Sequence, residues 1–138
     1  MDTDFFKWDV VYNTNIASID TQHKVIIKIL NELYDVVLID KQEDKLLDIL
    51  NELVQYTIYH FEEEEKLFDV YGFTEEKEHR AEHQDFINKV KVFGEKLEKE
   101  EDFLVFDLIE FLKDWLIEHI MIADQKYVVF FKDKGIIV

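Results

Sequence analysis

The chain contains no proline and only three glycines among its 138 residues. Proline interrupts helices and glycine supplies many tight turns, so the residues that usually break up long helices are nearly absent. Apolar residues recur at steps of three and four over four separate stretches, which is the period of one helical face. The sequence therefore predicts an all-α fold, an antiparallel up-down-up-down four-helix bundle.

The length suits one domain with a substantial core, so we expect residues 1–138 to form a single domain. The first segment, residues 1–17, has no helical period but is rich in aromatic residues, including Phe5, Phe6 and Trp8. We expect it to be an ordered N-terminal arm that packs on the bundle. We expect Gly72 to end the second helix in a left-handed conformation. The predicted helices span about 18–39, 43–71, 75–98 and 103–131.

The net charge of −16 excludes several classes of partner. A strongly acidic surface argues against binding nucleic acid or an anionic membrane, and it favours a soluble monomer. The chain shows no secretory signal and no apolar stretch long enough to insert into a membrane, so we expect a cytoplasmic protein. It has no cysteine, so any metal ligands must be nitrogen or oxygen atoms.

All five histidines fall on the predicted inward faces of the helices. His79 and His83 are four residues apart, so both imidazoles lie on one face and can hold one transition metal ion. His23, His60 and His119 lie on the corresponding faces of the other three helices. Burying five unpaired imidazoles would be costly, whereas in a shared metal centre each lone pair coordinates an ion.

Two acidic residues are candidates for the same centre. Glu64 lies four residues after His60 on the same helical face. Asp124 lies five residues after His119, which turns an ideal helix by about 500° and leaves the side chain some 140° away. We hypothesise that a one-residue widening, as in a π-bulge, brings Asp124 to the site. The predicted core positions are Leu50, Leu53, Thr57, His60, Glu64, Leu67 and Tyr71 in the second helix, and Val105, Leu108, Leu112, Trp115, His119 and Ile122 in the fourth.

Five imidazoles and two carboxylates exceed what one metal ion needs, since four ligands satisfy a structural zinc ion. Two ions that share both carboxylates and one oxygen from water fit the donors better. An ion with three imidazoles then has six ligands. The other ion, with two imidazoles, has five ligands and one open position for a small molecule.

The chain carries four short motifs in order along the predicted helices. They are Ile19-Asp20-Thr21-Gln22-His23, His60-Phe61-Glu62-Glu63-Glu64, His79 with His83, and His119-Ile120-Met121-Ile122-Ala123-Asp124. In order, spacing and helix placement they resemble the hemerythrin family, as do Trp8, Trp115-Leu116 and Tyr127. The resemblance covers essentially the whole chain, and the length is similar to that of the single-domain prokaryotic form.

The resemblance implies a non-haem di-iron centre, with two iron ions joined by an oxo or hydroxo bridge, that binds O2 reversibly for transport, storage or delivery. It implies a carrier and not an enzyme, with an oxygen-consuming or reductase protein as a possible partner. The implied ligands are His79, His83 and His119 on the six-coordinate iron, His23 and His60 on the five-coordinate iron, and Glu64 and Asp124 as bridges. The implied O2 pocket consists of Ile26, Phe61, Trp115, Leu116 and Ile120.

Three other functions remain open at this stage. A ferritin-like di-iron oxidase or detoxifying enzyme would need two inward ExxH pairs, and only Glu76 and His79 have that spacing. Oxygen or redox sensing would require a separate partner, since these 138 residues contain no output domain. A phosphotransfer module would need one exposed histidine, whereas these histidines are predicted to face inward.

Overall fold

The computed structural model describes residues 6–39, 45–99 and 105–138. Within these ranges every regular element is helical. A short 3-10 turn covers Val10–Tyr12, and two π-helical segments cover Asp35–Ile39 and His119–Ala123. Phe5 and the predicted helix starts at 43 and 103 lie outside the described residues. The α-helices are α1 (Ala17–Tyr34), α2 (Leu46–Tyr71), α3 (Glu76–Glu98), α4 (Val105–Glu118) and α5 (Asp124–Asp133).

The helices form a four-membered ring of neighbours. Helix α1 packs on α2 and α4, α2 packs on α3, and α3 packs on α4. The segment His119–Ala123 connects α4 directly to α5, so these elements together make the fourth rod of the bundle. The predicted four-helix bundle is therefore confirmed. Among the described residues, no helix is both long enough and apolar enough to cross a membrane.

Residues 6–16 form an arm that is fixed to α1 by side-chain and backbone contacts. The backbone N–H of Phe6 donates to Asn31 Oδ1 at 2.8 Å, and Asn31 Nδ2 donates to the carbonyl of Phe6 at 2.9 Å. Trp8 packs on the edge of the main core and lies 6.5 Å from the ring of His23, measured between centroids. The arm therefore covers the end of the bundle core next to a candidate metal ligand.

The core divides into two apolar clusters with the histidines between them. The larger cluster contains Leu30, Leu53, Phe61 and Leu112 among its buried members. The smaller cluster lies around Tyr127. Its other buried members are Ile16, Ile19, Phe68, Phe73 and Phe131.

The observed core differs from the predicted one most clearly at Leu67 and Ile122, while the predicted core residues Tyr71 and Trp115 are only partly buried. The side chain of Val105 lies outside the described residues. Leu67 is only partly buried, whereas its neighbour Phe68 is fully buried. Steps of three and four residues average 3.5, whereas an α-helix has about 3.6 residues per turn. Over several turns the buried face therefore drifts away from the positions that these steps select. Ile122 is 61% exposed, because the π-helical segment changes the angular positions of the side chains that follow it.

Gly72 ends α2 as predicted, with φ 67° and ψ 46°, and its N–H donates to the carbonyl of Phe68. We expect Gly72→Ala to lower the free energy of unfolding by about 1 kcal/mol, since an L side chain is disfavoured in this conformation. Urea unfolding at fixed metal content measures the change.

Gly94→Ala is the matched control: Gly94 lies inside α3 with nothing within 4 Å of an added Cβ. There alanine should raise stability by about 0.5–1 kcal/mol. Changes of the same sign would contradict the assigned conformations.

Candidate metal centre

The structure brings all seven predicted ligand residues into one buried cluster. Each of these residues is at most 4% exposed, and together they come from all four rods of the bundle. Helix α1 supplies one, α2 two, α3 two and the fourth rod two. The residues are His23, His60, Glu64, His79, His83, His119 and Asp124.

The ligand atoms form two groups, each with its atoms within 4.8 Å of one another. Glu64 belongs to both: one oxygen contacts Nε2 of His60, and the other lies 3.2 Å from Nε2 of His79. Asp124 spans the groups in the same manner, with Oδ2 2.9 Å from Nε2 of His23 and Oδ1 3.1 Å from Nε2 of His79. The first group contains Glu64, His79, His83 and His119, and the second contains His23, His60, Glu64 and Asp124.

Asp124 reaches the cluster through a π-helical segment. The backbone N–H of Asp124 donates to the carbonyl of His119, five residues earlier. This extra residue in the turn places Asp124 Oδ1 2.9 Å from His119 Nε2 and leaves the aspartate with no exposed surface. The hypothesis of a local widening of this helix is therefore confirmed.

The short distances in the cluster do not make a complete hydrogen-bond network. Both carboxylate oxygens of Asp124, Oε1 of Glu64 and the Nε2 atoms of His23 and His60 are buried without a hydrogen-bond partner among the described residues. Buried polar atoms normally find partners, so such a set requires an explanation. Lone pairs that converge on shared points are the arrangement that metal ions satisfy, and the nitrogen and carboxylate donors suit iron. The residues therefore fit a buried metal centre.

Both carboxylates are held in the ionised form. Burial alone would raise the pKa of Glu64, but the contacts with the imidazoles of His60, His79 and His119 lower it well below its usual value. Burial and the charge of Glu64 would likewise raise the pKa of Asp124, and His119 and His23 reverse this and lower it. The cluster thus buries two negative charges that positive charge must balance.

Four of the imidazoles fall into two classes by the direction in which their pKa is shifted. Burial lowers the pKa of His60 and His83, so these rings are neutral and keep a free lone pair. Burial also opposes protonation of His79 and His119, but the contacts with Asp124 outweigh it and raise the pKa of both rings. Cations that bind here would replace those protons, since metal ligands must be deprotonated.

Aromatic side chains fix the orientation of the imidazoles. Phe61 stacks on His83 with ring centroids 3.8 Å apart and an angle of 7°, and Trp115 stacks on His119 at 4.4 Å and 14°. Phe68 meets His79 edge to face at 4.9 Å. A ring held by stacking keeps its nitrogen aimed at one point, which favours a preformed metal site.

The five predicted pocket residues are buried or partly buried, and two of them, Phe61 and Trp115, stack on candidate ligands. Ile26, Phe61 and Leu116 belong to the larger apolar cluster, and Trp115 packs against it with part of its surface exposed. Ile120 is 1% exposed and lies in the π-helical segment. Apolar side chains therefore cover the ring faces of His83 and His119.

Three polar residues around the imidazoles were not predicted. Gln22 Oε1 lies 2.7 Å from Nδ1 of His60, where it accepts the ring proton and leaves Nε2 free to bind metal. Its position beside His23 on a buried helix face could have indicated it. Glu65 lies 3.9 Å from Nδ1 of His83, and Glu82 lies 3.7 Å from Nδ1 of His119. These two contacts cross between helices, so the period of one helix does not indicate them.

Tyr127 places a buried hydroxyl next to the carboxylates. Its oxygen has no hydrogen-bond partner among the described residues. Burial and the negative charges of Glu64 and Asp124 raise the pKa of Tyr127 well above 10, so the phenol stays protonated. A neutral hydroxyl beside buried anions stabilises their charge.

Comparison with known proteins gives the same result as the geometry. The profile of the hemerythrin HHE cation binding domain matches residues 14–130. The bacteriohemerythrin of Clostridium acetobutylicum is 32% identical over 127 residues, which cover 89% of this chain and 98% of that protein. A hemerythrin from Sipunculus nudus is 29% identical over 125 residues, which cover 90% of this chain and 92% of that protein. The crystal structure of wild-type hemerythrin superimposes with a TM-score of 0.83 at 27% identity, covering 89% of this chain and 95% of that one. The chain belongs to the hemerythrin HHE cation binding domain family.

Proposed function

We propose that this protein binds O2 reversibly at a centre of two iron ions and acts as an oxygen carrier or store. The observation that carries the proposal is the division of the buried donors into two groups that share Glu64, one with three imidazoles and one with two. Equal sharing of both carboxylates then gives the two ions unequal numbers of protein ligands. The ion with fewer ligands keeps a position for a diatomic molecule.

In this proposal each ligand has one role. One ion is held by the three imidazoles of α3 and the fourth rod, and the other by the imidazoles of α1 and α2. Glu64 and Asp124 bridge, because each carboxylate already places one oxygen toward either group. The assigned ligands are His79, His83 and His119 for the first ion and His23 and His60 for the second.

When bound, two ferrous ions supply the electrons that make O2 binding possible, and the chain supplies the surroundings. Gln22 holds the ring proton of His60 on Nδ1, so Nε2 faces the centre. Ile26, Phe61, Leu116 and Ile120 are all buried, and we assign them to the apolar wall of the site. Water and anions promote the release of bound oxygen in a reduced form instead of as O2. Their exclusion therefore favours reversible binding. These walls carry no acid or base, which favours carriage over turnover.

The direct test loads the metal-free chain with two equivalents of Fe²⁺ under argon and records absorption spectra through repeated cycles of air and argon. A carrier should show a band that appears with O2 and disappears with argon over several cycles, with no continuing O2 consumption when reductant is present. Steady consumption of O2 and reductant would instead indicate an oxidase. A spectrum that does not reverse on the first cycle would also contradict the proposal.

Glu64→Ala should lower metal content from two ions per chain far more than Glu63→Ala. Glu64 is fully buried and belongs to both groups, whereas the Glu63 side chain is 34% exposed and pairs with the exposed Lys66 at 3.6 Å. Elemental analysis after dialysis against a weak chelator measures the difference. Equal losses in the two variants would show that the assignment of the helical face is wrong.

Gln22→Ala should weaken metal affinity by about 10–100-fold, because residues that orient a metal-bound imidazole have effects of this size. Gln22→Glu, which keeps an acceptor near His60, should recover most of the affinity. Gln55→Ala is the matched control, since Gln55 is exposed on the same bundle and belongs to neither ligand group. Competition with a coloured chelator gives the affinities. A loss as large in Gln55→Ala would contradict the role of Gln22.

A further inference from the structure

A cleft of about 650 Å³ lies on the bundle surface between α3 and the fourth rod. Its lining includes His119, which belongs to the three-imidazole group, and the half-exposed ring of Trp115. Acidic side chains surround it, three of which, Asp85, Asp114 and Glu118, make no contact with a candidate ligand in the structure. The cleft therefore connects solvent with the outer edge of the buried cluster.

A second, smaller cavity of about 30 Å³ continues this opening. It reaches His79 and shares Glu82, Ala123 and Lys126 with the larger cleft. Ala123, which lies between His119 and Asp124 in sequence, lines both cavities. Acids outnumber lysines among the residues that line the two cavities. The acids are Glu75, Glu78, Glu82, Asp85, Asp114 and Glu118, and the lysines are Lys89 and Lys126.

His119 joins the cleft to the cluster through its two ring nitrogens. The inner nitrogen, Nε2, lies 2.9 Å from Asp124 Oδ1. The outer nitrogen, Nδ1, is buried without a hydrogen bond, and the carboxylate of Glu82 lies 3.7 Å away on the cleft side. His119 is only 4% exposed, so this unsatisfied atom at the cleft floor is not explained by contact with bulk water.

We propose that this cleft is the route by which divalent transition-metal ions reach the buried cluster. The rim carboxylates hold the hydrated cation and raise its local concentration, and the cation then passes the imidazole edge of His119 into the donor groups. The inference rests on the proposed metal centre, and it adds a transient cation site outside it.

Elementary electrostatics favours this route over a passage through the larger apolar cluster. Acidic side chains outnumber the two lysines in the lining, and such an excess of negative charge attracts cations and speeds their association. A hydrated dication gains nothing from apolar walls and loses its hydration there. A cation in the cleft therefore meets carboxylate oxygens along the rim and imidazole nitrogens at the inner end.

The test measures the rate of Co²⁺ uptake by the metal-free full chain, from the absorption of the bound ion. Asp85→Asn/Asp114→Asn/Glu118→Gln should slow uptake about tenfold at low ionic strength while the final affinity stays within about twofold. The difference should largely disappear at high salt, because exposed charges are then screened. Lys126→Gln should have the opposite effect and accelerate uptake.

The control variant is Asp48→Asn/Glu52→Gln/Glu95→Gln, which removes the same charge from exposed sites outside the cleft. Its uptake rate should match that of the parent chain. A second measurement follows loss of Co²⁺ from the loaded protein to excess chelator, which also covers any variant whose metal-free form is unfolded. If affinity is unchanged, release through the same route must slow by the same factor as uptake.

Three results would overturn the proposed route: equal slowing in the control variant, unchanged uptake in the cleft variant, or a fall in affinity that matches the fall in rate. The last would mean that the acids hold the bound ion and do not admit it. Each differs from failure of the metal centre itself, in which the parent chain would not bind two Co²⁺ ions at all.

Discussion

The structure depends on two carboxylates that have no exposed surface, Glu64 and Asp124. An ionised carboxylate in an apolar interior is stable only when positive charge and hydrogen-bond donors surround it. Imidazoles from all four rods meet this need, so each rod is fixed to the others through a charged centre as well as through apolar contacts. The positive charge that balances the carboxylates can come from protons on His79 and His119 or from metal cations. Only metal cations coordinate the lone pair of every imidazole.

The helical period predicted the inward-facing imidazoles and Glu64, because four of the histidines and Glu64 lie on regular α-helices and His119 directly follows one, so angular position follows from spacing alone. Asp124 shows where that reasoning ends. Its spacing from His119 fits no regular helix, and whether a helix accepts an extra residue depends on what the side chain gains from distant partners. The same π-helical segment exposes Ile122, so one local change of pitch explains both a correct hypothesis and a wrong core position.

Contacts between helices lay beyond the sequence for a different reason. Gln22 meets His60, and Glu82 faces His119, across the gaps between rods. Such pairs depend on the relative rotation and axial shift of two helices, which an amphipathic pattern leaves undetermined. A stacked aromatic ring sets part of that register, because Phe61 of α2 covers His83 of α3.

The surroundings of the centre differ in polarity from place to place. Apolar surroundings suit a neutral diatomic molecule, and acidic surroundings suit a metal cation. Beside Ile26, Phe61 and Leu116 the walls are apolar, which suits a neutral diatomic molecule and excludes ions. Beside His119 the wall opens to a cleft rimmed by carboxylates, which suits a cation and gives a neutral gas no advantage. In the proposed function an apolar lining excludes ions, and in the proposed route carboxylates admit them, so one uniform lining could not serve both. Trp115 lies where the two linings meet, because it packs against the apolar cluster, lines the cleft and stacks on His119.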